Sequence, residues 1–228
     1  MAKRELRVYM DNKLLTHNKH PKYLGVTLDK TLTFKEHLTR MMAKLRTRNN
    51  ILQKLCGTTW GSSASTLRSS ALGLVYPVAE YCAPVWLNSK HTRMVDTQLN
   101  QTMRIISGTI RPTPTIWLPT LSNIAPSNLR RAHALVREFN KIMNNPQLQV
   151  HDDVPHIQGN RLRSRHPPLK TAYELHQNDF DINERWREKW ENEAAPMYHG
   201  LPYVINEPAG FDLPSGTWTT LNRTRLWS

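Results

Sequence analysis

Acidic residues, glycine and cysteine are all scarce in this chain, and each scarcity excludes something. The 228 residues hold 18 Asp and Glu against 31 Lys and Arg, a formal charge of +13. An excess of that size favours a polyanionic partner, and nucleic acid is the commonest one. Only two cysteines occur, Cys56 and Cys82, so neither a disulfide framework nor a thiolate zinc site is supported. The expectation is a reduced, intracellular protein, with nucleus and cytoplasm left open. No apolar run approaches the ~20 residues needed to cross a bilayer, so no membrane partner is expected. The nine glycines form no phosphate-cradling loop, and no Gly-x-Ser-x-Gly nucleophile turn is present.

Metal-dependent chemistry is equally poorly supplied. Asp152-Asp153 is the one adjacent aspartate pair that suggests two-metal catalysis. Such a pair needs a rigid hairpin and a third carboxylate on a neighbouring strand. Here it sits in a polar, proline-flanked stretch and reads as a solvated turn. No residue is assigned as catalytic or as a metal ligand, and no cofactor is expected.

What is present is a short β lead-in followed by helices. ELRVY, the turn signal Asp11-Asn12 and Lys13-Leu14-Leu15 predict a β-hairpin. The stretch PKYLGVTLDKTLTF, from Pro21 to Phe34, predicts one more strand. Gly25 within it marks a bulge or the close approach of another backbone. A hairpin and a strand do not hold together alone in water, so this reads as the edge of a larger sheet.

From Phe34 to Leu55 the apolar residues Leu38, Met41, Met42, Leu45, Leu52 and Leu55 recur at helical spacing. Arg40, Lys44 and Arg48 form a row beside that stripe, with Lys35, Arg46 and Lys54 further round. A charge row is commonly a solvated face. Here nearly all charges share one sign, which favours a phosphate-facing surface. Further helices are predicted from Ser63 to Cys82, kinked or ended by Pro77 and Pro84, from Thr92 to Ser107 with Gly108 as its cap, and from Pro126 to Asn144. Arg104, Arg111, Arg130 and Arg131 flank these helices. Glu80 is expected to pair with a basic neighbour. Trp60 is read as a junction plug rather than a base-stacking platform.

After Asn145 the composition turns polar and rich in proline and histidine, as in a linker. Arg161, Arg163 and Arg165 alternate along it, as linker charge or as contacts to a phosphate backbone. Trp186 and Trp190, at i, i+4, predict a charged helix docked on the bundle. LPSGTWTTL predicts a last short helix. The fold class expected is mainly α, with a small β-hairpin and strand at the N-terminus, a helical bundle, and a loosely packed, partly helical tail. The units are 1–33, 34–145 and a partly disordered 146–228.

KRELRVYMDN, PKYLGVTLDKTLTFKEHL, RNNILQKLCGTTWG, TLRSSALGLVYPVAEYCAPVW, RIISGTIRPTPT and IAPSNLRR follow one another in this chain. Their order and spacing resemble jockey-like non-LTR retrotransposon (LINE-type) polyproteins. RSRHP from Arg163 and Leu213-Pro-x-x-x-Trp-x-x-Leu-Asn-Arg resemble the same family's C-terminal region. The resemblance is densest from Tyr23 to Arg131.

The resemblance implies a location inside a reverse transcriptase, an RNA-directed DNA polymerase using Mg²⁺. The family's catalytic palm, with its aspartates, lies upstream of the region matched here. Residues 1–33 would be the palm's C-terminal edge, with Tyr23, Leu24 and Gly25 positioning the primer end. Residues 34–145 would be the thumb, which holds the template–primer duplex. Lys35, Arg40, Lys44, Arg48, Arg104, Arg111, Arg130 and Arg131 are its candidate contacts. The expected partners are an RNA–DNA hybrid or duplex and the palm and fingers of the parent polymerase. The chain departs from the family in ending on Thr-Arg-Leu-Trp-Ser. Family members continue there toward a Cys/His cluster, so a truncated or decayed copy, inactive alone, is expected. The alternatives are a free-standing basic nucleic-acid-binding protein co-opted from the element, and a non-functional relic.

Overall fold

Two small antiparallel strand pairs lead into a mainly helical body in the computed structural model, which describes residues 7–57, 61–154, 166–193 and 204–225. The first pair joins β1 (Tyr9–Met10) to β2 (Lys13–Leu14), with Tyr9 opposite Leu14. Asp11 and Asn12 take positive φ, 48° and 57°, at the turn the sequence marks.

Pro21 to Thr27 corrects the single-strand expectation. β3 (Lys22–Tyr23) and β4 (Val26–Thr27) form a second hairpin, with Leu24 and Gly25 as its turn. Leu24 has φ 43° and Gly25 has φ 82°. Two successive positive φ values are what a two-residue hairpin loop requires, so Gly25 reverses the chain rather than bulging a strand. Among the described residues the two hairpins pair with no other strand. Val26 and Thr27 are buried against the first helix, whereas Tyr9, Met10 and Leu14 stay exposed.

α1 (Lys35–Lys54) starts without a side-chain cap at Phe34. Asp29 performs a related task one turn earlier. Its carboxylate accepts from the backbone N–H groups of Thr31, Thr33 and Phe34 and from the hydroxyls of Thr31 and Thr33. Burial pushes its pKa up, but the hydrogen bonds from Thr33, Thr31 and Phe34 outweigh this and hold it at about 2.

The helix expected from Ser63 to Cys82 breaks into three: α2 (Ala64–Leu74), α3 (Tyr76–Ala79) and α4 (Ala83–Trp86). Pro77 and Pro84 each sit in the first turn of a new helix, where a missing N–H costs nothing. Ser63 caps α2 by accepting from the Thr66 N–H. α5 (Arg93–Ser107) packs along α1, and Gly108 closes it at φ 64°. α6 (Leu118–Ser122) and α7 (Ser127–Met143) follow.

The main core joins Leu38, Leu45 and Leu52 of α1 to Leu67, Ala71, Trp86, Leu99 and Ile106. One polar latch lies within it. Buried Asn49 donates to the Gln98 carbonyl at 2.9 Å and accepts from Thr102 Oγ1 at 2.7 Å. Satisfied in this way, the pair fixes the register of α1 against α5.

The region read as a linker contains structure that composition did not suggest. A 3₁₀ turn covers Gln149–His151, and α8 (Pro168–Gln177) packs on α7 through Leu135, Phe139, Val154 and Ala172. Asp152 and Asp153 follow that turn and are exposed. α9 (Ile182–Glu193) docks as expected, with Trp186 buried and Trp190 against Trp117 and Leu121. Trp60, Arg161, Arg163 and Arg165 lie outside the described residues.

The final helix, α10 (Ser215–Arg225), belongs to the main core rather than to a loose tail. Trp218 is 1% exposed and its indole N–H donates to the Ile106 carbonyl at 3.0 Å. Asn222 donates to the Ser107 carbonyl at 2.8 Å. Both carbonyls end α5 and have no partner within their own helix, so α10 supplies what the helix terminus lacks. Gly108 permits the approach. A Cβ there would stand 2.3 Å from Thr219 Oγ1.

Candidate nucleic-acid interface

Three helical faces converge on one polar groove. α1 presents Met42, Arg46, Asn50 and Gln53, α5 presents Thr97, Gln101 and Arg104, and α10 presents Ser215, Thr219 and Arg223. Each set recurs at three- or four-residue spacing, so each is one stripe of its helix. Arg111 enters from the loop after α5. The groove has a volume of about 880 Å³, and no carboxylate is found among its described lining residues.

The electrostatics follow from that lining. Arg46, Arg111 and Arg223 are exposed and make no ion pair among the described residues. Arg104 is half-buried, with Nη2 3.3 Å from the Thr113 carbonyl, while its buried Nε–H has no acceptor among the described residues. Burial first, and then the Arg111 charge, push the Arg104 pKa below the usual guanidinium range. Like charges held together without a carboxylate are stabilised by an anion arriving from solution.

The sequence-derived candidates fall into three groups. Arg104 and Arg111 lie in the groove. Lys35, Arg40 and Lys44 are exposed outside it, and Arg48 turns toward α2. Arg40 donates to Glu36 one turn back at 2.8 Å, and Arg48 donates to the Leu74 carbonyl at the end of α2. Within the Arg40, Lys44, Arg48 row only Lys44 makes no hydrogen bond or ion pair among the described residues, and the row as a unit does not form the groove.

Arg130 and Arg131 are engaged by carboxylates of this chain. Arg130 binds Glu80 through Nε and Nη2, the latter at 3.0 Å, and stacks over the Tyr76 ring at 4.8 Å. Burial alone would lower its pKa; the Glu80 carboxylate reverses this and keeps it charged. Arg131 is 6% exposed and grips Asp96 with bonds of 2.6 and 3.1 Å. Both guanidinium groups are thus engaged inside the protein, by Glu80 at the end of α3 and by Asp96 of α5. Glu80 thus has the basic neighbour its apolar surroundings demand.

Tyr23 and Leu24 are 69% and 74% exposed at the hairpin tip. Gly25 does mark a close approach, but to a side chain of this chain. A Cβ there would meet the Tyr81 ring at 3.0 Å, and Tyr81 Oη donates to the Leu24 carbonyl at 2.7 Å.

Sequence reasoning missed Arg46 and Arg223 as members of the site. The signal lies in the polar stripes Thr97, Gln101, Arg104 and Ser215, Thr219, Arg223, the complements of the apolar stripes of α5 and α10. A second cleft of about 880 Å³ gathers Phe34, Val85, Leu135, Phe139 and Leu169 instead. Its apolar walls offer little to a polyanion. Burial pushes the Cys56 thiol, at the groove's edge, up to about 11, so it contributes no thiolate at neutral pH.

Comparison with family models, with curated proteins and with solved structures finds no match to this chain.

Proposed function

We propose that this chain is the duplex-gripping, thumb-like part of a non-LTR reverse transcriptase, contributing template–primer hold without the polymerising centre. One observation carries the reading beyond the ordered motifs of the sequence. Arg46, Arg104, Arg111 and Arg223, drawn from four segments, face one groove whose described lining holds no carboxylate. Two acids that could have answered such charges, Glu80 and Asp96, are engaged instead by Arg130 and Arg131 of α7. The first hairpin adds support. Val8, Tyr9, Met10 and Leu14 are 51–63% exposed, as when a strand pair belongs to a sheet carried by other protein.

The test is fluorescence anisotropy with an RNA–DNA hybrid bearing a recessed 3′ end and with a blunt duplex, each across a salt series. Tighter binding of the recessed hybrid, weakening steeply with salt, is expected. The purified chain is expected to incorporate no nucleotide with Mg²⁺. Salt-insensitive binding, or incorporation, overturns the reading.

A second reading is a free-standing basic nucleic-acid-binding protein derived from such an element. It is favoured by the shared core of α1, α2, α5 and α10, which closes without the strand pairs. Equal affinity for hybrid and blunt duplex would select it.

A further inference from the structure

We infer that the apolar cleft walled by α4, α7 and α8 binds a small amphipathic anion, a medium-chain carboxylate whose tail lies on the apolar walls and whose head meets Lys90. The cleft shares no lining residue with the arginine groove, so this inference stands apart from the nucleic-acid reading. Three features support it.

The first is shape. Phe34 before α1, Val85 of α4, Leu135, Phe139 and Ile142 of α7, and Leu169 of α8 converge on one concavity of about 880 Å³. That volume lies within the ~300–1,000 Å³ of small-molecule sites, whose walls are mostly apolar with a few polar groups fixing orientation.

The second is the sign of the charge left over. Asn88 spends its amide donors on the His166 carbonyl at 2.9 Å and Thr171 Oγ1 at 3.0 Å, tying the loop after α4 to the start of α8. Ser89 donates to the Thr33 carbonyl at 2.6 Å. Lys90, next in that loop, is exposed, lines the cleft and makes no ion pair among the described residues. Glu138 is the one carboxylate among the described lining residues, and Lys141 engages it at 2.9 Å. A positive charge beside apolar walls selects an anion with an apolar body.

The third is backbone strain held at the rim. Leu32 and Phe34 both line the cleft and take positive φ, 50° and 59°, although neither is glycine. The Asp29 carboxylate, accepting from the Thr33 and Phe34 N–H groups, fixes this conformation. It leaves Leu32 half-exposed over the cleft. Strain kept in this way clusters at ligand clamps.

The experiment titrates the full chain with decanoate, decanol and decylammonium by calorimetry, alongside the variants Lys90→Gln and Val85→Glu. Both residues are exposed, so folding should be retained, and circular dichroism checks it. One decanoate should bind per chain with a dissociation constant on the order of tens of micromolar, with decanol weaker and decylammonium weakest. Lys90→Gln should weaken decanoate about fivefold, the scale of an exposed ion pair, and leave decanol unchanged. Val85→Glu should weaken decanoate and decanol alike. The three-ligand series on the wild-type chain and the Lys90→Gln result decide the matter even where Val85→Glu fails to fold. Absent or unsaturable binding, decylammonium bound as tightly as decanoate, or decanoate affinity unchanged in Lys90→Gln would overturn the inference. So would self-association of the unliganded chain that Val85→Glu abolishes in sedimentation velocity, since the cleft would then be filled by a second copy.

Discussion

Tyr81 donates its phenolic proton to the Leu24 carbonyl at 2.7 Å while its ring occupies the space a side chain on Gly25 would need. The hairpin tip is thus latched to the α3–α4 corner by one hydrogen bond and one absent Cβ. Through it, the strand pair that precedes α1 is tied to the helical body.

That latch gives a graded expectation. Gly25→Ala places a Cβ at φ 82°, against the ring, and should destabilise the protein by about 1–3 kcal/mol. Tyr81→Phe removes only a half-exposed hydrogen bond, about 0.5–1 kcal/mol. Combining Gly25→Ala with Tyr81→Ala should cost less than the sum, because the second change removes the obstacle to the first. Urea unfolding gives the energies, and amide exchange at Thr27 and Leu28 reports the hairpin itself. Strict additivity would show that the ring and the glycine do not interact.

Arg131 and Arg111 separate structural from ligand-facing charge. Arg131→Met leaves Asp96 without its bidentate partner and should lower stability by about 2–3 kcal/mol. Arg111→Gln removes an exposed charge with no ion pair among the described residues and should stay within about 0.5 kcal/mol. Urea midpoints of the two variants check this. Equal midpoints would mean that the Asp96 pair contributes nothing.

His37 links stability to pH. Its Nδ1 accepts from the Thr27 N–H at 3.3 Å, and its Nε2 is buried without a partner among the described residues. Burial, and secondarily the Lys44 charge, hold its pKa below the ordinary 6.5. The unfolded chain therefore takes up the proton first as pH falls. The stabilisation is complete above pH 6.5 and is lost as pH drops from there through the lowered folded value. The urea midpoint should fall between pH 7.5 and 5.5, and His37→Gln, whose side-chain oxygen still accepts from Thr27, should flatten the fall. The same slope in both proteins would assign the effect to other groups.

The helices were legible because burial imposes a period. Leu38, Met41, Leu45 and Leu52 repeat at helical spacing, and those positions are the buried apolar ones in α1. Hairpin geometry was legible only in part. Asp11-Asn12 is a recognised turn pair, whereas Leu24-Gly25 has one glycine beside a leucine and looked like the inside of a strand. α8 was hidden because only Ala172 of its length is fully buried, so its apolar stripe is too thin to mark.

The site divided along the same line. Composition alone determined that the chain is basic and carries far more cations than internal acids can neutralise. Tertiary structure decided which cations remain available. Arg130 and Arg131 look no different in sequence from Arg104 and Arg111, yet the first two pair with Glu80 and Asp96 and the latter two form no ion pair among the described residues. A charge's availability depends on what lies within about 4 Å of it in space, and neighbours at that range come from segments far apart in the chain. Arg223 shows this most directly: the stripe Ser215, Thr219, Arg223 marks only a polar face, and the docking of Trp218 on α5 brings that face to the groove holding Arg104.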